Sequence, residues 1–303
     1  QGILLMAEIL PIASGMRLPI LMLVSARAIS APINIHGDHQ DVMFVRDSGW
    51  IQLFSENAQE VYDNTLIALK LAEKTGLPAM AIMDGFQTSH SVENLKILED
   101  SAAKNFVGEY SPKNFLLDLE NPKTFGPVSL PNSYFEFKRA QIEATDSVIA
   151  KLIEINKEYA AISGREYDLF EAYKLEDAEK AIVVAGSTAG TAKVAVDELR
   201  EQGEKVGLLK IKLFRPFPYA QIAEALKNVK DIAVLDRTVS FGSSAPLFSE
   251  IKNSICQIQD KKYQIQSYIY GLGGREIFKE DIKKVFEELG NENIESVKYI
   301  GLK

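Results

Sequence analysis

The 303-residue chain holds one cysteine, three histidines and one tryptophan. A single thiol, Cys256, excludes a disulfide within the chain and any iron–sulfur cluster that needs several of its cysteines. Cysteine of this kind is usually a small buried hydrophobe, and that is the expectation for Cys256. Three histidines are thin material for a transition-metal centre. His36 and His39 have a zinc-compatible spacing, but no third ligand follows at a usual distance, so no metal is expected. An excess of positive charge is also missing. The net charge is −8, and the densest basic run, "DKKYQ" at 260–264, reads as a solvated turn. Without a basic stripe, nucleic acid is excluded as a partner. No apolar run reaches membrane-spanning length, since "LPILMLV" (18–24) suits a buried strand instead, and no membrane partner is expected. With no secretion signal, the cytoplasm is the expected location.

Apolar residues make up 46% of the chain and charged residues 25%, the balance of a globular protein large enough for two domains. The opening "QGILLMAEILPIASG" already has a helical pattern, ended by Gly15, and reads as the middle of a domain with a segment missing upstream. A strand follows at 20–26, then a polar loop over 28–50. Asn57 with Glu60 forms a capping box that opens a helix over 58–76, and "AMAIMDG" (79–85) is a second buried strand. Residues 109–133 hold four prolines and read as an extended connector, and 134–163 as one long amphipathic helix. From 165 the order becomes β-α again, with strands at 181–186, 205–214 and 231–237. The expected architecture is therefore α/β, with two doubly wound domains built on mainly parallel sheets. The divisions expected are 1–120, a connector and long helix over 121–164, and 165–303.

The stretch "HGDHQDVMFVRDSGW" (36–50) gathers two histidines, three aspartates and an arginine before the lone tryptophan. Metal ligands, an acid–base set and a polar loop covering a cofactor are all compatible with it. "GSTAG" (186–190) follows a strand and opens a helix, yet lacks the G-x-G-x-x-G pattern and a later acidic residue, so a tight packed turn is favoured over a bound nucleotide. "GLGG" (271–274) is read as a structural turn. Ser89 and His90 lie in no nucleophile-elbow pattern. Arg27 closes the apolar strand "ILMLVSAR", at the strand end where α/β domains bind ligands. Its planar fork suits a carboxylate, but pairing with Asp38, Asp41 or Asp47 is an equal reading from position alone.

"SARAISAPINIHGDHQDVMFVRDSGWIQLFSENAQEVYD" and "DGFQTSH" closely resemble the thiamine-diphosphate-binding domain of pyruvate:ferredoxin oxidoreductase alpha subunits. "GSTAGTAK", "LLKIKLFRPFP", "AVLDRTVSFGSSAPLFSEI" and "YIYGLGGRE" resemble the family's next domain, in collinear order. The resemblance implies a first domain of the pyrimidine-binding type, N-terminally incomplete, and a second like the C-terminal domain of transketolases. It implies an alpha-type subunit of a CoA-acylating 2-oxoacid:ferredoxin oxidoreductase, most simply for pyruvate, that decarboxylates the acid oxidatively to acyl-CoA and CO2. A relative acting on another 2-oxoacid, or a scaffold subunit or fragment without chemistry, is the alternative. Arg27 then matches the arginine that binds the substrate carboxylate, and Gly37, Asp38, His39 and Asp41 belong to the loop closing over it. Asp47 would orient Arg46 or Arg27. Thiamine diphosphate would be shared with a beta-type partner holding its diphosphate and Mg2+. Iron–sulfur clusters would sit only in partner subunits, alongside a gamma-type subunit, with ferredoxin as acceptor. The family's cofactor-activating glutamate and a threonine near the substrate lie in a stretch that would precede "QGILLM", so this stretch alone is not expected to activate the cofactor.

Overall fold

A computed structural model describes residues 2–112, 114, 116–256, 263–290 and 296–303. Residues 260–262 of the basic run lie outside the described residues. The first part of the chain runs α1 (Gly2–Leu5), α2 (Ile9–Gly15), β1 (Leu21–Ala26), α3 (Gln40–Phe44), β2 (Ile51–Phe54), α4 (Ala58–Thr75), β3 (Ala79–Asp84), α5 (Asp100–Val107), α6 (Tyr134–Asp146) and α7 (Val148–Ser163). The second runs β4 (Phe170–Tyr173), β5 (Lys180–Ala185), α8 (Thr188–Glu201), β6 (Val206–Ile211), β7 (Leu213–Arg215), α9 (Tyr219–Leu226), β8 (Asp231–Asp236), α10 (Pro246–Ile255), β9 (Gln264–Ile269), α11 (Lys279–Glu288) and β10 (Lys298–Tyr299).

Two sheets result. The first has the order β1-β3-β2-β7, with β1 and β2 parallel to β3 and β7 antiparallel to β2. The second has the order β10-β9-β8-β5-β6-β4, parallel except for β4 at one edge. The central strands β5, β6 and β8 of the second sheet are buried on both faces, as parallel strands between helices must be. Ile182 and Val184 of β5 pack toward α8 and α11, whereas Ala181, Val183 and Ala185 pack toward α9 and α10. The latter core continues through Phe214 and Phe217 to Phe54, Trp50 and Leu10 of the first part, so one apolar body joins both sheets. Mixed α/β order is therefore as expected, and so is the cap of α4: Asn57 Oδ1 accepts from Glu60 N at 3.0 Å. Glu60 returns the bond to Glu56 N instead of Asn57 N.

Three expected elements are divided. The opening helix breaks between α1 and α2, because Pro11 has no N–H to give residue 7 and its ring crowds that carbonyl. Restarting at Ile9 puts Pro11 in a first turn, where no N–H is needed. Gly15 stays helical, and Arg17 takes the left-handed turn (φ 61°), its guanidinium donating to the Thr75 and Gly76 carbonyls. The long helix splits at Ser147, where the Thr145 and Ser147 hydroxyls donate back to the Gln141 and Ala144 carbonyls and compete with the helix ladder. Cys256 is exposed, against expectation. Leu247, Ile251, Ser254 and Ile255 form the inward arc of α10, and Cys256 falls on the outward arc with Lys252 and Asn253.

The third division matters most. "KVGLLKIKLF" reads as one strand, but β6 belongs to the second sheet and β7 to the first, with Lys212 between them. Lys212 N donates to Leu169 O, and Lys212 O accepts from Phe54 N. Its ammonium is buried without a hydrogen-bond partner, 3.8 Å from the centroid of the Tyr167 ring. Burial pulls its pKa down to about 7, against weaker opposing pulls from Glu60, Asp63 and Asp168. A lysine that binds its proton less tightly when folded makes stability rise with pH between the folded and unfolded pKa values. Replacing Lys212 with Met is thus expected to raise the unfolding midpoint and to flatten the gain in stability between about pH 7 and roughly pH 10.4. Denaturant titrations across that range check it; an unaltered pH profile would assign the titration to another group.

Candidate functional site

In the first sheet Ala26 pairs with Asp84, so the C-terminal ends of β1 and β3 present Arg27 and Asp84 side by side. Arg27 N donates to Asp41 Oδ1 at 3.2 Å, and its Nη2 donates to Asn34 O at 2.8 Å. Among the described residues its guanidinium has no carboxylate within ion-pair distance, and its Nε is enclosed without a hydrogen-bond partner. Asp47 pairs instead with Arg46 and Arg215. Asp41 accepts from Val42 N as well, at 2.7 Å. Burial lifts the Asp41 carboxyl to about 6, with the two backbone donors pulling the other way.

Asp84 is fully buried and takes four hydrogen bonds. His39 Nε2 donates to Oδ1 at 2.6 Å. Arg237 Nη1, Ser187 N and Ser187 Oγ donate to Oδ2 at 2.9, 2.9 and 2.5 Å. Burial opposes its charge, yet His39, Arg237 and Ser187 together hold the carboxyl well below the usual carboxylate range. His39 comes from the loop between β1 and α3, Ser187 from the turn before α8, and Arg237 from the end of β8. His39 N also donates to Arg237 O at 2.9 Å, and its ring lies 5.0 Å from that of Phe54.

The rest of the loop is fastened to the same two neighbours. Asp38 accepts from Gln40 N (2.9 Å) and from Gly273 N (3.0 Å). Asn34 Nδ2 donates to Gly273 O at 3.0 Å, and Asn34 Oδ1 accepts from His36 N at 2.7 Å. Gly37 passes so close to Gly85 that an added Cβ would sit 2.1 Å from its carbonyl oxygen. Gly273 is left-handed (φ 62°), and a Cβ there would meet Asn34 Nδ2 at 2.4 Å. The backbone approach at Gly37 and the left-handed backbone at Gly273 both call for glycine. Arg27, Gly37, Asp38, His39 and Asp41 are thus all brought together. Asp84, Arg237, Ser187 and Asn34 join them without having been singled out; the signal was there, since Asp84 is a lone charge ending "AMAIMD" and the pair Asp236–Arg237 ends the apolar strand "AVLDR".

The remaining candidates lie elsewhere or are committed. His36 is exposed with its ring tilted against that of Phe86 (centroids 4.7 Å), whereas His39 is buried and committed to Asp84. Among the described residues the one metal-compatible acidic group is Glu56, Glu60 and Glu171. Lys210 Nζ already occupies its centre at 2.6–2.7 Å from all three, with Lys193 on Glu56 and Glu171. Ser89 Oγ accepts from Phe86 N and lies 2.8 Å from His90 Nδ1, which makes it part of a turn. The turns "GSTAG" and "GLGG" receive Asp84 and the Asn34–Asp38 loop respectively. Trp50 closes its stretch structurally, Nε1 donating to Leu10 O at 2.9 Å.

A family model described as "Pyruvate flavodoxin/ferredoxin oxidoreductase, thiamine diP-bdg" matches residues 1–157, and "Pyruvate:ferredoxin oxidoreductase core domain II" matches residues 178–282. The pyruvate synthase subunit PorA of Thermotoga maritima is 50% identical over 307 residues, covering 100% of this chain and 78% of that protein. PorA of Methanocaldococcus jannaschii is 43% identical with the same coverage. The ketoisovalerate oxidoreductase subunit VorA of Pyrococcus abyssi is 38% identical over 290 residues, 95% of this chain and 73% of that protein. Among solved structures, 2-oxoglutarate:ferredoxin oxidoreductase from Magnetococcus marinus aligns with a TM-score of 0.66 over 95% of this chain and 51% of that one. At 21% identity that is a likeness of fold.

Proposed function

Because the chain belongs to the pyruvate:ferredoxin oxidoreductase family and is a subunit of such an oxidoreductase, we propose that its substrate is pyruvate and that Arg27 grips the substrate carboxylate. The observation that carries this reading is the Arg27 guanidinium, which ends a parallel strand with no carboxylate partner among the described residues. A charged, planar donor in that position is available for a bidentate contact with an anion. Gly37, Asp38, His39 and Asp41 shape the loop beside it. Asp41 fixes the Arg27 backbone, and Asn34 O holds one arm of the fork.

The described residues do not by themselves fit the aminopyrimidine of thiamine diphosphate, which needs a free buried carboxylate. Asp38 is taken by Gln40 and Gly273, Asp41 and Asp84 are engaged as above, Glu60 by Lys210, Asp63 by Arg165, Tyr159 and Tyr167, Asp236 by the N–H groups of Leu247 and Phe248, and Glu250 by Arg215. The part of this chain is therefore to hold the substrate's carboxylate. A beta-type partner holding the diphosphate and Mg2+, partner subunits carrying the iron–sulfur clusters, a gamma-type subunit and a cytoplasmic setting complete the proposal. The single cysteine supports clusters held elsewhere. No helix among the described residues is long and apolar enough to cross a membrane.

The choice of acid is supported by the 50% and 43% identity to the PorA chains of Thermotoga maritima and Methanocaldococcus jannaschii, against 38% to the VorA of Pyrococcus abyssi. Turnover of the assembled complex with CoA and ferredoxin tests it on pyruvate, 2-ketoisovalerate and 2-oxoglutarate. Pyruvate is expected to have the highest kcat/KM, by about tenfold or more, a gap of roughly 1.4 kcal/mol. A preference for either longer acid would overturn the assignment.

A further inference from the structure

We propose that the second α/β unit is the positioning element for Arg27, with Arg237 as the residue through which it acts; this rests on the reading of Arg27 as the carboxylate-binding group. Arg27 is tied to its surroundings at two points, its backbone N–H on Asp41 and its Nη2 on Asn34 O. Both acceptors belong to the 34–41 loop, and that loop is anchored on the second unit. Asn34 Nδ2 donates to Gly273 O, Asp38 accepts from Gly273 N, and His39 N donates to Arg237 O. The guanidinium of Arg27 is thus separated from the second unit by a single residue, Asn34, whose carbonyl accepts from Arg27 and whose side-chain amide donates to Gly273 O.

Arg237 links the two ends of this arrangement. Its Nη1 holds Asp84, its Nε reaches Gly271 O at 3.4 Å, and its carbonyl takes His39 N. Asp84 in turn fixes the His39 ring, two residues before Asp41. Moving Arg237 therefore shifts both the 271–274 turn and the Asp41 end of the loop, and with them the two bonds that aim Arg27. A lysine keeps the charge beside Asp84, but it has no fork to hold Asp84 and Gly271 together.

The experiment compares the parent, Arg27→Lys, Arg237→Lys and the double variant in the assembled complex, reading KM separately for the 2-oxoacid and for CoA. Arg237→Lys is expected to raise the 2-oxoacid KM about fivefold with the CoA KM unchanged, and to add less than about twofold once Arg27 is already Lys. An equal rise in both KM values, a fall in kcat alone, or full additivity with Arg27→Lys would overturn the proposal and leave Arg237 as a structural ion pair. An unchanged 2-oxoacid KM in Arg27→Lys would instead sink the Arg27 reading, whatever Arg237→Lys does. If Arg237→Lys does not assemble, Ser187→Ala removes one hydroxyl bond to Asp84 and carries the same test, with an expected rise of about twofold.

Discussion

Replacing Arg27 with Ala in the assembled complex is expected to raise the KM for the 2-oxoacid by about tenfold or more while leaving the subunit's stability nearly unchanged. A hydrogen bond to a charged group contributes roughly 1.5–3 kcal/mol, and each 1.4 kcal/mol is about one decade in binding. Half-burial of Arg27 and access to solvent weaken the contact, which argues for the lower end of that range. Stability is expected to survive because no carboxylate loses its partner. The bond given to Asp41 comes from the Arg27 backbone, which alanine retains. The deleted side chain donates only to the Asn34 carbonyl. Steady-state kinetics with varied 2-oxoacid and saturating CoA, together with a denaturant midpoint, check both halves. An unaltered KM with a lowered midpoint would make Arg27 a structural residue.

Asp84→Ala is expected to behave in the opposite way, lowering stability by about 3–5 kcal/mol, the usual cost of stranding one partner of a buried ion pair. Arg237 would keep its charge at a side-chain exposure of 3% with its carboxylate gone. His39 Nε2 and Ser187 would lose their acceptor in the same step. Adding Arg237→Met to Asp84→Ala should recover part of the loss, because a missing pair costs less than half a pair. Urea midpoints for the two single variants and the double variant measure this coupling. If Asp84→Ala unfolds at the parent's midpoint, solvent or another acceptor has replaced the carboxylate, and the clamp does not join the two units.

Much of the architecture was legible because it rests on neighbours in sequence. The cap at Asn57, the helix end at Gly76 and the two-sided apolar strands follow from residues a few positions apart. Arg27 stood out for a similar reason, as a lone charge closing an apolar strand. Pro11 and the hydroxyls of Thr145 and Ser147 were local signals too, and they explain the breaks that periodicity alone passed over. The exposure of Cys256 was a matter of phase on α10, which a residue's apolar character does not reveal.

By itself, the sequence determined the α/β order, the acidic charge balance, the single thiol and the family, since all of these are properties of composition or contiguous pattern. Only the tertiary structure decided that the 34–41 loop is fastened to the second unit. The bonds on Asp84 come from residues 45, 103 and 153 positions away, and no local spacing encodes such partners. It also decided that the run 205–214 crosses from one sheet to the other at Lys212. A period of two is the same in either sheet, so which strand a residue pairs with is settled by the packing around it.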